Sequence, residues 1–265
     1  TLTEITKSSE FENAYRMPPS NEAQAQVLVK CAHEYLKATK VFVIADSMMY
    51  GKDLDYSVRT SLANSKMKHD GTFFISRGQA HFSVLNEIKS FASQPDVILF
   101  LGYSPEAIVL VSQMRTVGLK IPLLASDGVY GPKFLRTELA ESTYVAYQVA
   151  PMDLLASRSE WKEYLEAYQT EDRGSDSSPE GWSVWAYDGV MLARDAIERS
   201  LRVSKVPRSS EVMNVLMSTS TGGHYEFSGA LGKYVFPRGS RDNSEAQFYV
   251  YQVIGKKYHL IPWKP

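Results

Sequence analysis

Apolar residues in this chain fall first into short unbroken runs and then into helical stripes. Residues 97–101 (VILFL) are a continuous apolar run of strand length, the texture of a strand covered on both faces, and residues 40–46 (KVFVIAD) read as another buried strand. Residues 72–75, 121–125 and 143–149 also read as strands. Helical spacing fills the intervals. Val27, Cys31 and Tyr35 form an i, i+4 row after Ser20; Leu54, Val58 and Leu62 form a second; Phe82, Leu85 and Ile88 mark a third. Five strands alternating with helices across residues 20–149 predict a parallel sheet covered by helices.

The segment 95–128 carries the most information. After the 97–101 strand, Gly102 and Tyr103 lead to Ser104, a candidate N-cap, with Pro105 suited to the first helical position and Glu106 favoured by the helix dipole. Gly118 ends that helix, and Asp127 follows the 121–125 strand, beside Gly128. Ligands of open α/β sheets bind beyond the carboxyl ends of the strands. Tyr50, in ADSMMYG just past the 40–46 strand, joins Tyr103 and Asp127 as a candidate at a third strand end. Two phenols and a carboxylate there could hold a small cationic molecule, the acid accepting charge-assisted hydrogen bonds from an ammonium group. The plainer reading is that both tyrosines pack and Asp127 caps a turn in SDG.

Past Pro151 the texture changes. Trp161, Tyr164, Leu165 and Tyr168 make a helical stripe, and residues 171–178 (EDRGSDSS) read as a surface loop. Ser178-Pro179 starts a helix whose apolar side carries Tyr187, Val190, Met191 and Ile197, and Ser209–Met217 is a short helix. Trp182 lies near the start of the longer one, where core packing is its default role. No strand in 152–217 offers these helices a sheet, so their cover must come from elsewhere. In the tail, 233–236 and 247–254 read as an antiparallel pair across a turn at 237–245, with 257–262 as a third strand. A chain that leaves one lobe, visits another and returns has the outline of a hinged clamshell. The expected parts are 1–19, the remnant of a first lobe with a crossover; 20–149, an α/β lobe; 150–221, helices of the first lobe; and 222–265, β structure returning to the α/β lobe.

Composition narrows the function. With 29 basic and 30 acidic residues the net charge is −1, so nothing marks a nucleic-acid or anionic-membrane partner. Cys31 is the one cysteine, which excludes an internal disulfide, and it falls on the apolar side of a helix. The five histidines are scattered without ligand spacing, so no metal or cofactor is expected. GYSPE at 102–106 lacks the closing glycine of a nucleophile elbow, and SGALGK at 228–233 does not follow a strand into a helix as a phosphate loop would. With no nucleophile–base pair either, an enzyme is not expected.

Five segments in order carry a family resemblance: YRMPPSNEAQAQVLVKCAHEYL, KVFVIADSMMYGKDL, PDVILFLGYSPEAIVLVSQMRTVGLKIPLLASDGVY, GWSVWAYDGVMLARDAIERS, and GKYVFP with QFYVYQV. The chain resembles the branched-chain amino acid (Leu/Ile/Val-type) periplasmic binding proteins. The resemblance implies an α/β fold of periplasmic binding protein type I: two Rossmann-like lobes joined by crossovers near 16–19, 148–151 and 222–227, closing by hinge motion. It implies that Tyr50 and Tyr103 wall the pocket, that Asp127 pairs with a ligand's α-ammonium, that Thr1 holds its carboxylate and that Trp182 lines the side-chain pocket. Members begin with several βα units that have no counterpart here. A fragment or a degenerate homologue with an incomplete first lobe is therefore expected.

The implied function is a solute-binding protein of an ABC-type amino acid uptake system, periplasmic or otherwise extracytoplasmic, partnered by a membrane permease. The alternative keeps the fold and makes the chain the ligand-sensing domain of a receptor or fused signalling protein.

Overall fold

The computed structural model describes residues 2–171, 181–202, 204–217 and 223–264. The chain divides into two compact units, one formed by Thr1–Thr3, Ser20–Tyr147 and Phe248–Pro265 and the other by Glu4–Pro19 and Gln148–Gln247.

In the first unit Ser20 accepts a hydrogen bond from the Ala23 N–H and caps α1 (Asn21–Lys30). The helix runs on into a wider π turn at Cys31–Tyr35, closed by the Leu36 N–H on the Cys31 carbonyl at 3.0 Å. Then follow β1 (Lys40–Asp46), α2 (Met49–Ala63), β2 (Lys68–Ile75), α3 (Val84–Ser90), β3 (Val97–Leu101), α4 (Ser104–Thr116), β4 (Leu123–Ala125), a short α5 (Pro132–Leu135) and β5 (Tyr144–Tyr147). Gly118, at φ 77°, supplies the left-handed residue that ends α4.

The predicted alternation is present: β1 to β5 are mutually parallel in the order β2-β1-β3-β4-β5. Residues 41–45 of β1 and all of β3 are apolar because both faces of these strands are covered, whereas edge strand β2 is largely polar and half-exposed. Val41, Val43, Ala45, Val97, Leu99 and Leu101 point into a core shared with α1 and α2. Phe42, Ile44, Ile98 and Phe100 point the other way, onto α3 and α4. Each of these buried Val, Leu, Ile and Phe side chains contributes about 1.5–3 kcal/mol relative to exposure.

The second unit holds α6 (Met152–Leu155), α7 (Ser159–Glu171), α8 (Gly181–Ser200), α9 (Ser209–Met217), β6 (His224–Gly229) and β7 (Gly232–Pro237). Three expectations change here. First, β7 pairs antiparallel with β6 as a two-stranded sheet, and not with the following strand. A tight turn at residues 229–232 needs no long loop, and buried Asp188 of α8 holds it through the Ala230 and Leu231 N–H groups and the Tyr234 hydroxyl. Second, this hairpin belongs to the second unit. Only the chain from Phe248 rejoins the first, so the switch expected near 222–227 falls between Gln247 and Phe248. The helices therefore do have local β cover: Trp185, Leu192 and Ala196 pack with Tyr225, Tyr234 and Phe236. Third, Val190 and Ile197 stand exposed, and the inward side of α8 is Val184, Trp185, Asp188, Leu192 and Ala196. The expected loop at 171–178 and the start of α8 at 178–179 lie, past residue 171, outside the described residues.

Back in the first unit, β8 (Tyr249–Ile254) adds antiparallel to β5, and β9 (Lys257–Leu260) adds antiparallel to β8. The finished sheet has seven strands in the order β2-β1-β3-β4-β5-β8-β9.

Candidate functional site

Parallel pairing aligns the carboxyl ends of β1, β3 and β4 as neighbours, and one residue follows each of them. Tyr50 sits in the first turn of α2 after β1, Tyr103 at the N-cap of α4 after β3, and Asp127 in a one-turn 3-10 helix, Asp127–Val129, after β4. The structure brings the three together. The Tyr50 hydroxyl donates to Asp127 Oδ1 at 2.6 Å, and the Tyr50 and Tyr103 rings lie 5.5 Å apart at 46°.

The backbone approach that allows this depends on glycine. A Cβ on Gly51 would lie 2.1 Å from the Asp46 carbonyl oxygen, and one on Gly128 would lie 2.5 Å from that of Gly102. Ser126, fully buried, locks the β3 and β4 ends by exchanging hydrogen bonds between its hydroxyl and the Gly102 N–H and C=O. Ser104 is not the cap expected. It is the first residue of α4, and its hydroxyl donates to the Val129 carbonyl at 2.9 Å, pinning the Asp127 turn to the helix. Nor is Glu106 there only for the dipole: it is buried and accepts the Gly78 N–H at 2.8 Å.

Three side chains that pattern reading missed complete the cluster. Gln24 of α1, fully buried, donates Nε2 to Asp127 Oδ1 at 2.9 Å. Its signal was a glutamine in register with Leu28 and Cys31 on the buried side of the helix. Arg77, two residues past β2, sets its guanidinium carbon 4.7 Å from the centroid of the Tyr103 ring. It also faces Asp46 at 3.7 Å, whose other oxygen accepts the Met48 N–H at 2.5 Å. No periodicity announces a loop arginine or a strand-terminal acid.

Both protein hydrogen bonds to the Asp127 side chain fall on Oδ1, and among the described residues Oδ2 accepts none. The acid does not cap its own turn; its partners are side chains from two helices. Burial, reinforced by the neighbouring Asp127 charge, pushes the Tyr50 phenol well above its ordinary range, so it stays a donor at neutral pH. Burial also raises Tyr103, with Arg77 opposing. Beyond the turn, Tyr130 is stacked between Tyr147 (3.6 Å, 4°) and Tyr258 (3.9 Å, 16°), and the Tyr258 hydroxyl accepts the Gly131 N–H at 2.9 Å. The loop bearing Asp127 is thus held at both ends.

Of the other residues expected at the site, Thr1 lies outside the described residues. Trp182 belongs to the second unit, on the first turn of α8, and at 53% exposed it is not the core residue its position suggested.

A parallel sheet covered by helices on both faces, with an acid and two aromatic rings at adjacent strand ends, places the first unit in the α/β class. Residues 1–257 match the family described as periplasmic binding protein, and the chain belongs to that family. An amino acid binding protein of Pseudomonas aeruginosa is 28% identical over 180 residues, 66% of this chain and 46% of that protein. The fold is that of type I periplasmic binding proteins. A leucine binding protein from Thermotoga maritima superposes with a TM-score of 0.77 at 22% identity, covering 93% of this chain and 66% of that one. A branched-chain amino acid ABC transporter protein from Thermus thermophilus, solved with bound valine, gives 0.77 at 14% identity, covering 98% and 69%. The chain thus spans about half the length of the Pseudomonas relative and two-thirds of these structures.

Proposed function

We propose that this protein is a solute-binding component of an ABC-type amino acid uptake system, working outside the cytoplasm with a membrane permease. Asp127 accepts the ligand's α-ammonium group on Oδ2, and the Tyr50 and Tyr103 rings flank the cation and exclude water. The observation that carries this reading is the loading of Asp127. Two neutral protein donors, Tyr50 and Gln24, occupy Oδ1 and orient the carboxylate without neutralising it, which leaves Oδ2 for a cation. The names of the relatives supply the ligand class.

Titration calorimetry with a panel of L-amino acids tests the reading. Saturable binding by at least one is expected. Removing one partner of a desolvated charge pair costs about 2–5 kcal/mol, so Asp127→Ala should weaken that binding by about thirtyfold or more. Unchanged affinity in Asp127→Ala, with the fold intact by circular dichroism, would refute the assignment.

A further inference from the structure

The first unit holds a cavity at the end of the sheet opposite Asp127. It has a volume of about 220 Å³ and is lined by the last turns of α4 and by the segments leading into β4 and β5, at the amino ends of those strands. Pockets that take drug-sized ligands run to about 300–1,000 Å³, so an occupant here is small. The floor is apolar: Met114, Leu119 and Leu123 are buried members of the core between α4 and the sheet.

The charged lining is cationic on balance. Arg115 and Lys120 are exposed residues at its edge, and Glu141 is the one acid. Arg115 donates one N–H, from Nη2 to the Glu141 carbonyl at 3.0 Å, and a guanidinium has five to give. Among the described residues the Lys120 ammonium has no ion pair or hydrogen bond. Glu141 is engaged elsewhere, its Oε2 accepting the Gly255 N–H at 3.0 Å. The carbonyls at the end of α4, which would repel an anion, are taken as well: those of Gln113, Met114 and Arg115 accept the N–H groups of Val117, Leu119 and Gly118. Thr143, 3% exposed, also lines the cavity, and among the described residues its hydroxyl has no hydrogen-bond partner, although buried hydroxyls are as a rule paired. Val145, two residues on, faces α4, and strand alternation turns Thr143 to that same side.

We propose that this cavity binds a small monocarboxylic acid with a short apolar body, its carboxylate held by Arg115 and Lys120 with the Thr143 hydroxyl as a further donor, and its body laid on Met114, Leu119 and Leu123. Two cations against one engaged acid favour an anion, and a net lining charge of one unit suits a monoanion better than a phosphate dianion. The apolar floor rewards a hydrocarbon body that an inorganic ion lacks.

Sodium hexanoate titrated onto the 265-residue protein, with its methionine methyl groups labelled with carbon-13 for NMR, tests this assignment. The Met114 signal, assigned through Met114→Leu, should shift saturably with half-saturation below about 1 mM, while those of Met48 and Met49, at the start of α2, stay still. Hexylamine has the same body with the opposite charge, and inorganic phosphate has charge without a body; neither should move Met114 at the same concentrations. Lys120→Ala should weaken hexanoate at least about fivefold and leave amino acid binding unchanged, and Thr143→Val, which keeps the volume, should weaken it about threefold. No shift at Met114, an equal response to hexylamine or phosphate, or unchanged hexanoate affinity in Lys120→Ala overturns the proposal. None of these results touches the amino acid reading, which rests on Asp127.

Discussion

The phenol of Tyr50 and the carboxylate of Asp127, 77 residues apart in sequence, meet at 2.6 Å and join the first turn of α2 to the loop after β4. This bond makes one cluster out of residues contributed by separate strand ends. Tyr50→Phe keeps the ring and deletes the donor. A hydrogen bond to a charged group is worth about 1.5–3 kcal/mol, so the variant should lose stability of that order in urea unfolding and bind its ligand more weakly.

The same tyrosine sets an alkaline limit. Burial raises Tyr50, Tyr225, Tyr234 and Tyr258 far above the usual phenol range and Tyr130 to about 12. A phenol raised in the folded state favours folding fully below its unfolded value of about 10, and that contribution falls as pH climbs past it. Stability should therefore be insensitive to these groups at neutral pH and decline steadily above pH 10. Phenolate absorbance should show a fraction of the tyrosines ionising only together with loss of circular dichroism.

Gly128 is a spatial requirement. A methyl group there would stand 2.5 Å from the Gly102 carbonyl oxygen and 3.1 Å from Cδ1 of Tyr103. Gly128→Ala should shift the Tyr103 ring or the Asp127 turn, cost about 1–3 kcal/mol, and impair binding more than that loss of stability explains. Normal affinity in this variant would show that the turn tolerates displacement.

Asp188 governs the other unit. Its carboxylate, fully buried, accepts two backbone N–H groups and the Tyr234 hydroxyl. Asp188→Ala strands these donors at about 1–3 kcal/mol for each one left unsatisfied. Thermal unfolding followed through Trp185, which packs on this hairpin, should move to markedly lower temperature.

Cys31 should be silent towards thiol reagents. It is fully buried, and burial with the nearby Glu34 charge pushes its thiol up to about 12. Disulfide-exchange reagents at mildly alkaline pH should leave it untouched until denaturant is added.

The legible parts of this protein were those set by local chemistry. The 40–46 and 97–101 runs announced doubly covered strands, and Tyr50, Tyr103 and Asp127 could be placed at strand ends by counting elements. What escaped was decided by tertiary pairing. Two apolar strands in the tail looked like partners, but a turn at 229–232, held by an aspartate of α8, gave β7 a different mate. Val190 and Ile197 fitted a helical stripe, yet the hairpin lies on the other side of that helix. Gln24 and Arg77 serve the site from elements whose relation to it exists only once the sheet is ordered.

The stacking of Tyr258 on Tyr130 bears on how the molecule matures during synthesis. A ribosome releases the Asp127 loop long before the hydroxyl that grips Gly131, which arrives 127 residues later. The residues of β1 to β5 are all made by then, but the Asp127 loop gains this brace only when the last two strands dock. A nascent chain halted before that point would carry every residue of the cluster without this brace on the loop that bears its acid.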